Sequence, residues 1–157
     1  MSLLPQEFRD FIYGELQGMI LGLNIVLFSI LQVLQLYVEN KKVEMYKEAS
    51  KYPKEQREVI VNFYDEIFAG NIAYKDAKYV LEKIKSAREM AFDAQIAIRK
   101  DSRKALDIII NANGELDRAN QKLKAAPKLQ KYLDPTRATI LNIRKQLAGY
   151  LKKQKAI

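Results

Sequence analysis

The side chains in this sequence that are best suited to bind a ligand are cationic. Four of them share little more than one helical turn: Arg99, Lys100, Arg103 and Lys104. Lys and Arg spaced along a helix suit contacts to phosphate groups, which need charge and reach but no base sequence. Asp101 and Asp107 partly offset this cluster. We predict a nucleic-acid-facing surface that continues through Arg118, Lys122, Lys124, Lys128, Lys131, Arg137, Arg144 and Lys145.

The charge of the chain is concentrated toward one end. The 157 residues include 27 Lys and Arg against 19 Asp and Glu, a net charge of +8. Residues 114–157 alone hold eleven basic and three acidic side chains. Such asymmetry points to a polyanion partner, either nucleic acid or an anionic membrane surface. The alternative is a solvated basic face that keeps the protein soluble.

Enzymatic chemistry is not expected. The chain has no Cys and no His, which removes Ser–His and Cys–His nucleophile systems and most zinc ligand sets. Neighbouring carboxylates, such as Glu55 and Glu58, are better explained by helix-dipole compensation or by solvation. No Gly-rich phosphate loop is present. We therefore predict no catalytic, cofactor-binding or metal-binding residues, and no cofactor.

The element that should organise the fold is an uncharged stretch of 23 residues, Leu16–Val38, of which sixteen are apolar. As one helix it would be about 34 Å long, enough to cross a hydrocarbon core. Because it is apolar over nearly its whole circumference, we expect burial by neighbouring copies of the protein, by lipid, or by both. Gly14, Gly18 and Gly22 form a small-residue stripe that favours close helix–helix packing.

Helical patterns cover the rest of the chain, which predicts an all-α fold and one domain over residues 1–157. The expected helices are an apolar and then charged helix over 5–51, a helix over 53–69 that ends at Gly70, a long helix over 72–126, and a basic helix over 135–153. No strand pattern competes with them. We predict an elongated bundle of four to five helices.

The region 72–126 has the clearest periodicity. One series repeats every seven residues: Ala77, Ile84, Ala91, Ile98, Ala105, Ala112, Ala119 and Ala126. A second series shifts by one residue at Arg99–Ser102, which predicts a stutter where the helix unwinds or bends. An Ala-rich seam permits closely spaced antiparallel helices. Asn111–Gly114 could add a kink or a short turn.

The long apolar N-terminal helix, the Ala- and Ile-rich helices and the basic C-terminal end resemble the all-helical coat proteins of archaeal viruses, especially spindle-shaped ones. The lack of Cys and the many Lys, Glu and Ile residues also favour a thermophilic source. The resemblance implies a self-assembling structural protein of the virion, with copies of the chain and nucleic acid as partners. It also implies subunit contacts, beside the three glycines, at Leu23, Leu27, Phe28, Leu31 and Leu34.

Two other classes of function stay open. The protein could be a single-pass or peripheral membrane protein with residues 16–38 in lipid. Asn24, Gln32 and Gln35 count against this, since polar residues raise the cost of insertion. It could also be a soluble adaptor that pairs its Ala seam with a partner helix.

Overall fold

The computed structural model describes residues 4–41 and 44–155, and these residues form seven helices and no strand. The helices are α1 (Gln6–Val38), α2 (Met45–Ala49), α3 (Lys54–Phe68), α4 (Tyr74–Ala97), α5 (Ser102–Lys122), α6 (Pro127–Gln130) and α7 (Asp134–Lys155). The all-α class and the long apolar N-terminal helix are confirmed. Seven helices replace the four or five expected, because two predicted helices are divided and a short helix lies in a predicted connection.

The first division lies after α1, which does not continue to residue 51 as predicted. Asn40 adopts a left-handed backbone conformation, with φ of 54°. The Lys41 N–H then donates to the Leu36 carbonyl at 3.0 Å, which closes the helix end. After Gly, Asn is one of the residues that adopt this left-handed conformation most readily. Lys42 and Val43, part of the predicted continuous helix, lie outside the described residues.

The second division lies at the predicted stutter, where the chain reverses instead of bending. α4 ends at Ala97 and α5 begins at Ser102. The Asp101 carboxylate accepts a hydrogen bond from the Lys104 backbone N–H at 3.2 Å and so caps α5. No break occurs at Asn111–Gly114, since α5 runs through it.

The Ala seam holds the resulting hairpin together. Every member of the seven-residue series, from Ala77 to Ala126, is buried, and so are Ala87 and Ala94. Lys83 pairs with Glu115 at 3.2 Å and Lys122 with Asp76 at 3.8 Å, which shows that α4 and α5 run antiparallel. The small seam residues therefore let two successive helices of one chain pack closely.

α1 packs antiparallel to α4 and to α7. The Gln95 side chain donates to the Tyr13 carbonyl at 3.1 Å, and the Arg88 guanidinium donates to the Asn24 side chain at 3.0 Å. On its other side, Phe8 stacks on Tyr150 with ring centroids 5.2 Å apart. α7 also lies against α5, and α3 covers the C-terminal half of α1.

The loop through Tyr132 is attached to α3 by a polar cluster. Glu58 accepts from Lys131 at 2.9 Å and from Tyr132 at 3.1 Å, and Asn62 also bonds the Tyr132 hydroxyl. The hydrogen bonds from Lys131 and Tyr132 hold the pKa of Glu58 below its ordinary value. The cluster joins residues more than seventy positions apart.

The chain itself buries most of the apolar stretch, contrary to the expectation that other copies or lipid would be needed. Ten of its sixteen apolar residues are buried, among them Leu16, Leu23 and Ile30, each at 0% exposure. The packing of α3, α4 and α7 around α1 supplies this burial. Gln17, Asn24 and Gln35 lie on the remaining exposed side, as their helical spacing requires.

Candidate nucleic-acid interface

The turn between α4 and α5 places the predicted cationic cluster at one end of the molecule. Arg99, Lys100, Arg103 and Lys104 are all exposed. None of the four forms an ion pair with a carboxylate of the described residues, whereas many of the predicted cations farther along the chain do. Four positive charges thus stand at this end without an ion-pair partner in the described part of the chain.

A tyrosine of α1 fixes the orientation of the Arg99 side chain. Its guanidinium lies over the Tyr13 ring, with 4.5 Å from Cζ to the ring centroid. Such stacking leaves the N–H groups at the guanidinium edge free to donate to an anion while the plane is held. The first turns of α1 therefore form part of the same end of the molecule.

The last turns of α7 come to this end as well. Tyr150 is held by its stacking on Phe8, and two residues later Lys152 lines a cleft with Arg103. We call the group Arg99, Lys100, Arg103, Lys104 and Lys152 the basic end. The sequence did not predict Lys152 as a site residue, because nearly fifty residues separate it from Arg103.

Further cations lie along the surface where α5 and α7 meet. Arg144 lines a second cleft with Arg118 and with the carboxylates Glu115 and Asp117, and Lys145 beside Arg144 is exposed. Along α5 the distance from Arg103 to Arg118 is about 22 Å. The cations of the two clefts thus lie along one side of the molecule instead of converging on a point.

Four of the predicted phosphate-facing cations are already paired with carboxylates. The shortest distances are 3.1 Å for Arg118 to Glu115, 3.8 Å for Lys122 to Asp76, 2.9 Å for Lys131 to Glu58 and 3.0 Å for Arg137 to Asp117. Pairing lowers the local positive potential at these sites. Lys124 and Lys128 are exposed and unpaired among the described residues, but lie at the opposite end of α5.

Acidic residues beside the basic end reduce its positive charge. Asp107 lines the cleft with Arg103, and Asp93 and Asp101 line a groove with Lys100 and Lys104. The Asp101 carboxylate is engaged by the backbone of α5. Three carboxylates thus stand beside the five cations in and around this cleft and this groove, and Glu7, Arg9 and Asp10 lie in the first turns of α1 at the same end.

The residues predicted at subunit contacts divide into two groups. Leu23, Leu27 and Leu34 are buried in the chain's own core, so in this fold they are not available to another subunit. Gly22 is half-buried and faces Thr136. Gly14, Gly18 and Leu31 are exposed, and Phe28 is half-buried with an edge-on contact to Tyr52. This division follows from the packing of α3, α4 and α7 around α1, which the sequence of α1 alone did not predict.

Two further properties bear on function. In the part of the chain that the structure describes, no group of three or more acidic side chains is placed to hold a metal ion. α1 is long and apolar enough to cross a membrane, with a mean hydropathy of 2.1 in its most apolar window, but 56% of that window is buried by the chain itself. A core helix of a water-soluble protein has the same length and composition.

Comparison of the chain with protein-family models, curated proteins and solved structures finds no match. The function proposed below therefore depends on the chain's own residues.

Proposed function

We infer that this protein is a structural protein, not an enzyme, that binds nucleic acid through phosphate contacts at its basic end. The observation that carries the proposal is the convergence of exposed cations from the α4–α5 turn and from α7, unpaired among the described residues. Arg103 and Lys152 are far apart in the sequence, and only the tertiary fold brings them to the same surface.

The arrangement favours the backbone of nucleic acid over its bases. The side chains are Lys and Arg on a helix turn and along helix sides, and they present charge in several directions. Reading a base sequence would need a protruding element that enters a groove with side chains matched to base edges. Arg144 and the basic end lie within about 22 Å, roughly six base pairs of duplex axis, so these cations, unpaired among the described residues, can meet several phosphates at once.

A membrane surface is the competing polyanion, and the distribution of apolar residues favours nucleic acid. Peripheral membrane helices insert a broad apolar face beneath their basic side chains. Near Lys100 the exposed apolar side chains of α4 are Ile96 and, one turn earlier, Phe92, which do not make a broad face, while most apolar residues of α1 face the core. The extended line of Arg144 and Lys152 along α7 also suits a rod-shaped polyanion.

A viral coat subunit is the fuller form of this proposal. In that role copies of an elongated helical bundle would associate within a virion, and the basic end would face the packaged nucleic acid. What supports it is the resemblance in architecture and composition together with the positive end. Self-association of copies is a separate requirement of that role.

The proposal predicts tight but sequence-independent binding to duplex DNA that weakens steeply with salt. With five cations engaged, the logarithm of the affinity should fall with the logarithm of the salt concentration with a slope of about −4.5. Fluorescence anisotropy of a short labelled duplex between about 50 and 200 mM salt measures this slope. Two unrelated sequences should give equal affinities within a factor of about two.

Vesicles of anionic and of neutral lipid provide the contrasting ligand. Under the proposal, duplex DNA competes the protein off anionic vesicles at equal phosphate concentration. No binding of DNA at low salt, or binding of anionic vesicles that DNA cannot displace, would reject the nucleic-acid proposal.

A further inference from the structure

The cleft between α5 and α7 at the basic end combines cations with apolar side chains. Arg103 and Lys152 line it together with the half-buried Leu106 and Leu151 and with Ala148. We call it the Lys152 cleft, and we call its apolar lining residues its floor. Its volume is about 350 Å³, within the range of about 300–1,000 Å³ that is usual for ligand sites. Phosphate groups alone leave such a floor unused, because they bind the cations and polar groups.

A groove at the α4–α5 turn repeats this composition. Its floor consists of Ile96, Ala97 and the half-buried Ile108, and its cations are Lys100 and Lys104. We call it the Lys100 groove, and its volume is about 540 Å³. The basic end therefore offers two sites where an apolar surface lies between positive charges.

The Lys152 cleft and the Lys100 groove lie on opposite sides of the first turns of α5. Leu106 in one floor and Ile108 in the other are two residues apart, which sets them about 200° apart around the helix. Arg103 and Lys104 are exposed on the part of α5 between the two floors. A helix with its side chains is about 10–12 Å across. One flexible polyanion can therefore cross α5 over these cations and reach both floors.

Each of the two sites also contains an exposed carboxylate. Asp107 lines the Lys152 cleft and Asp93 lines the Lys100 groove, and neither forms an ion pair within the described part of the chain. Such carboxylates repel an anionic lipid, whose acyl chain offers no hydrogen-bond donor in return. An unpaired base does offer N–H donors, on the edge that pairing occupies in a duplex. Floor, cations and carboxylate together thus match an unpaired nucleotide better than a lipid.

We propose that the Lys152 cleft and the Lys100 groove bind unpaired nucleotides of a single-stranded nucleic acid. A base lies on each floor, and the phosphates beside it contact the cations. This inference rests on the phosphate binding proposed above and specifies the form of the nucleic acid. In a duplex the faces of the bases are stacked on one another, whereas in a single strand every base has a free face, so contact with a floor tolerates any sequence.

Single-stranded and duplex DNA of the same length, compared at equal phosphate concentration, test this inference. Phosphate contacts alone favour the duplex, because it has the higher charge density and releases more counterions. We expect the single strand, of mixed sequence without self-complementary stretches, to bind about tenfold more tightly at about 0.2 M salt. Fluorescence anisotropy measures both affinities. Duplex binding that equals or exceeds single-strand binding overturns the inference but leaves the phosphate-binding proposal in place, and binding of neither rejects both.

The variant Ile96→Ser tests the floor of the Lys100 groove. Ile96 is 60% exposed, so its replacement should leave the fold intact. We expect single-strand affinity to fall about threefold and duplex affinity to stay unchanged, because no charge is removed. Leu31→Ser is the matched control, since Leu31 is 43% exposed on the C-terminal half of α1 and lines neither site. A loss that the duplex shares, or an equal loss in the control variant, overturns the inference.

Vesicles of equal parts phosphatidylserine and phosphatidylcholine separate a base from an acyl chain, the other ligand that joins an anion to an apolar group. We expect the single strand to displace the protein from these vesicles at equal phosphate concentration. Ile96→Ser should leave vesicle binding unchanged. Vesicles that displace the bound single strand, with a displacement that Ile96→Ser weakens, would show that the floors take lipid and would overturn the inference.

Discussion

The double variant Lys100→Gln, Lys104→Gln is expected to bind duplex DNA about 50-fold more weakly than the wild type at 0.1 M salt. Each phosphate contact contributes roughly 0.9 to the slope of log affinity against log salt, so the slope should also decrease by about two. Both side chains are exposed and have no ion pair among the described residues. Their removal therefore takes away charge without disturbing the core, which circular dichroism and thermal unfolding would check.

The variant Lys124→Gln, Lys128→Gln is the matched control. It removes the same two charges, also from exposed and unpaired lysines of the described chain, but at the far end of α5. We expect its DNA affinity to fall by no more than about two- to threefold, through the change in net charge. Equal losses in the two double variants would mean that total charge, and not the basic end, determines binding.

Leu23→Ala is expected to lower the free energy of unfolding by about 2–5 kcal/mol. Leu23 has 0% exposure in the middle of α1, where α3, α4 and α7 pack around the helix. Truncation of such a side chain loses its transfer free energy and leaves a cavity. Urea unfolding followed by circular dichroism measures the change.

Leu21→Ala, two residues away on the same helix, should change the free energy of unfolding of the monomer by less than about 0.5 kcal/mol. Leu21 is 56% exposed, so little apolar area is lost. The comparison must be made at a concentration where the chain is monomeric, because association adds to apparent stability. If Leu23→Ala left stability unchanged, α1 would be buried by something other than its own chain, as the sequence alone had led us to expect.

Local sequence signals predicted the helices and their core faces well. The seven-residue Ala series identified a seam that is buried throughout, and Gly70 ends α3 in the left-handed conformation, with φ of 78°. What the periodicity did not decide is whether a shift in register bends one helix or separates two. Asp101 caps α5, and its carboxylate therefore marks the start of a separate helix. An Asp inside a run of charged residues is not a strong sequence signal for a helix start.

The burial of α1 could not be predicted from α1. A helix with apolar residues on most sides needs several neighbours, and sequence does not state whether these belong to the same chain. Here α3 covers its C-terminal half, α7 lies along its N-terminal half, and α4 flanks it over most of its length. The polar residues Gln17 and Asn24 lie on the uncovered side.

For the candidate site, the sequence identified the cations of the α4–α5 turn but not their neighbours. Ion pairing of Arg137 with Asp117 and of Lys131 with Glu58 depends on side chains brought together from different helices. The approach of Lys152 to Arg103 depends in turn on α7 running antiparallel to α5. Such relations between distant residues follow from tertiary packing, which charge runs in the sequence do not specify.

The central claim is that phosphate contacts the basic end, and lysine acetylation in the presence and absence of duplex DNA tests it most directly. Mass spectrometry reports the reactivity of each lysine separately in one protein sample. We predict that DNA protects Lys100, Lys104 and Lys152 several-fold and leaves Lys124 and Lys128 unchanged. Equal protection at both ends, or protection confined to Lys124 and Lys128, would contradict the claim.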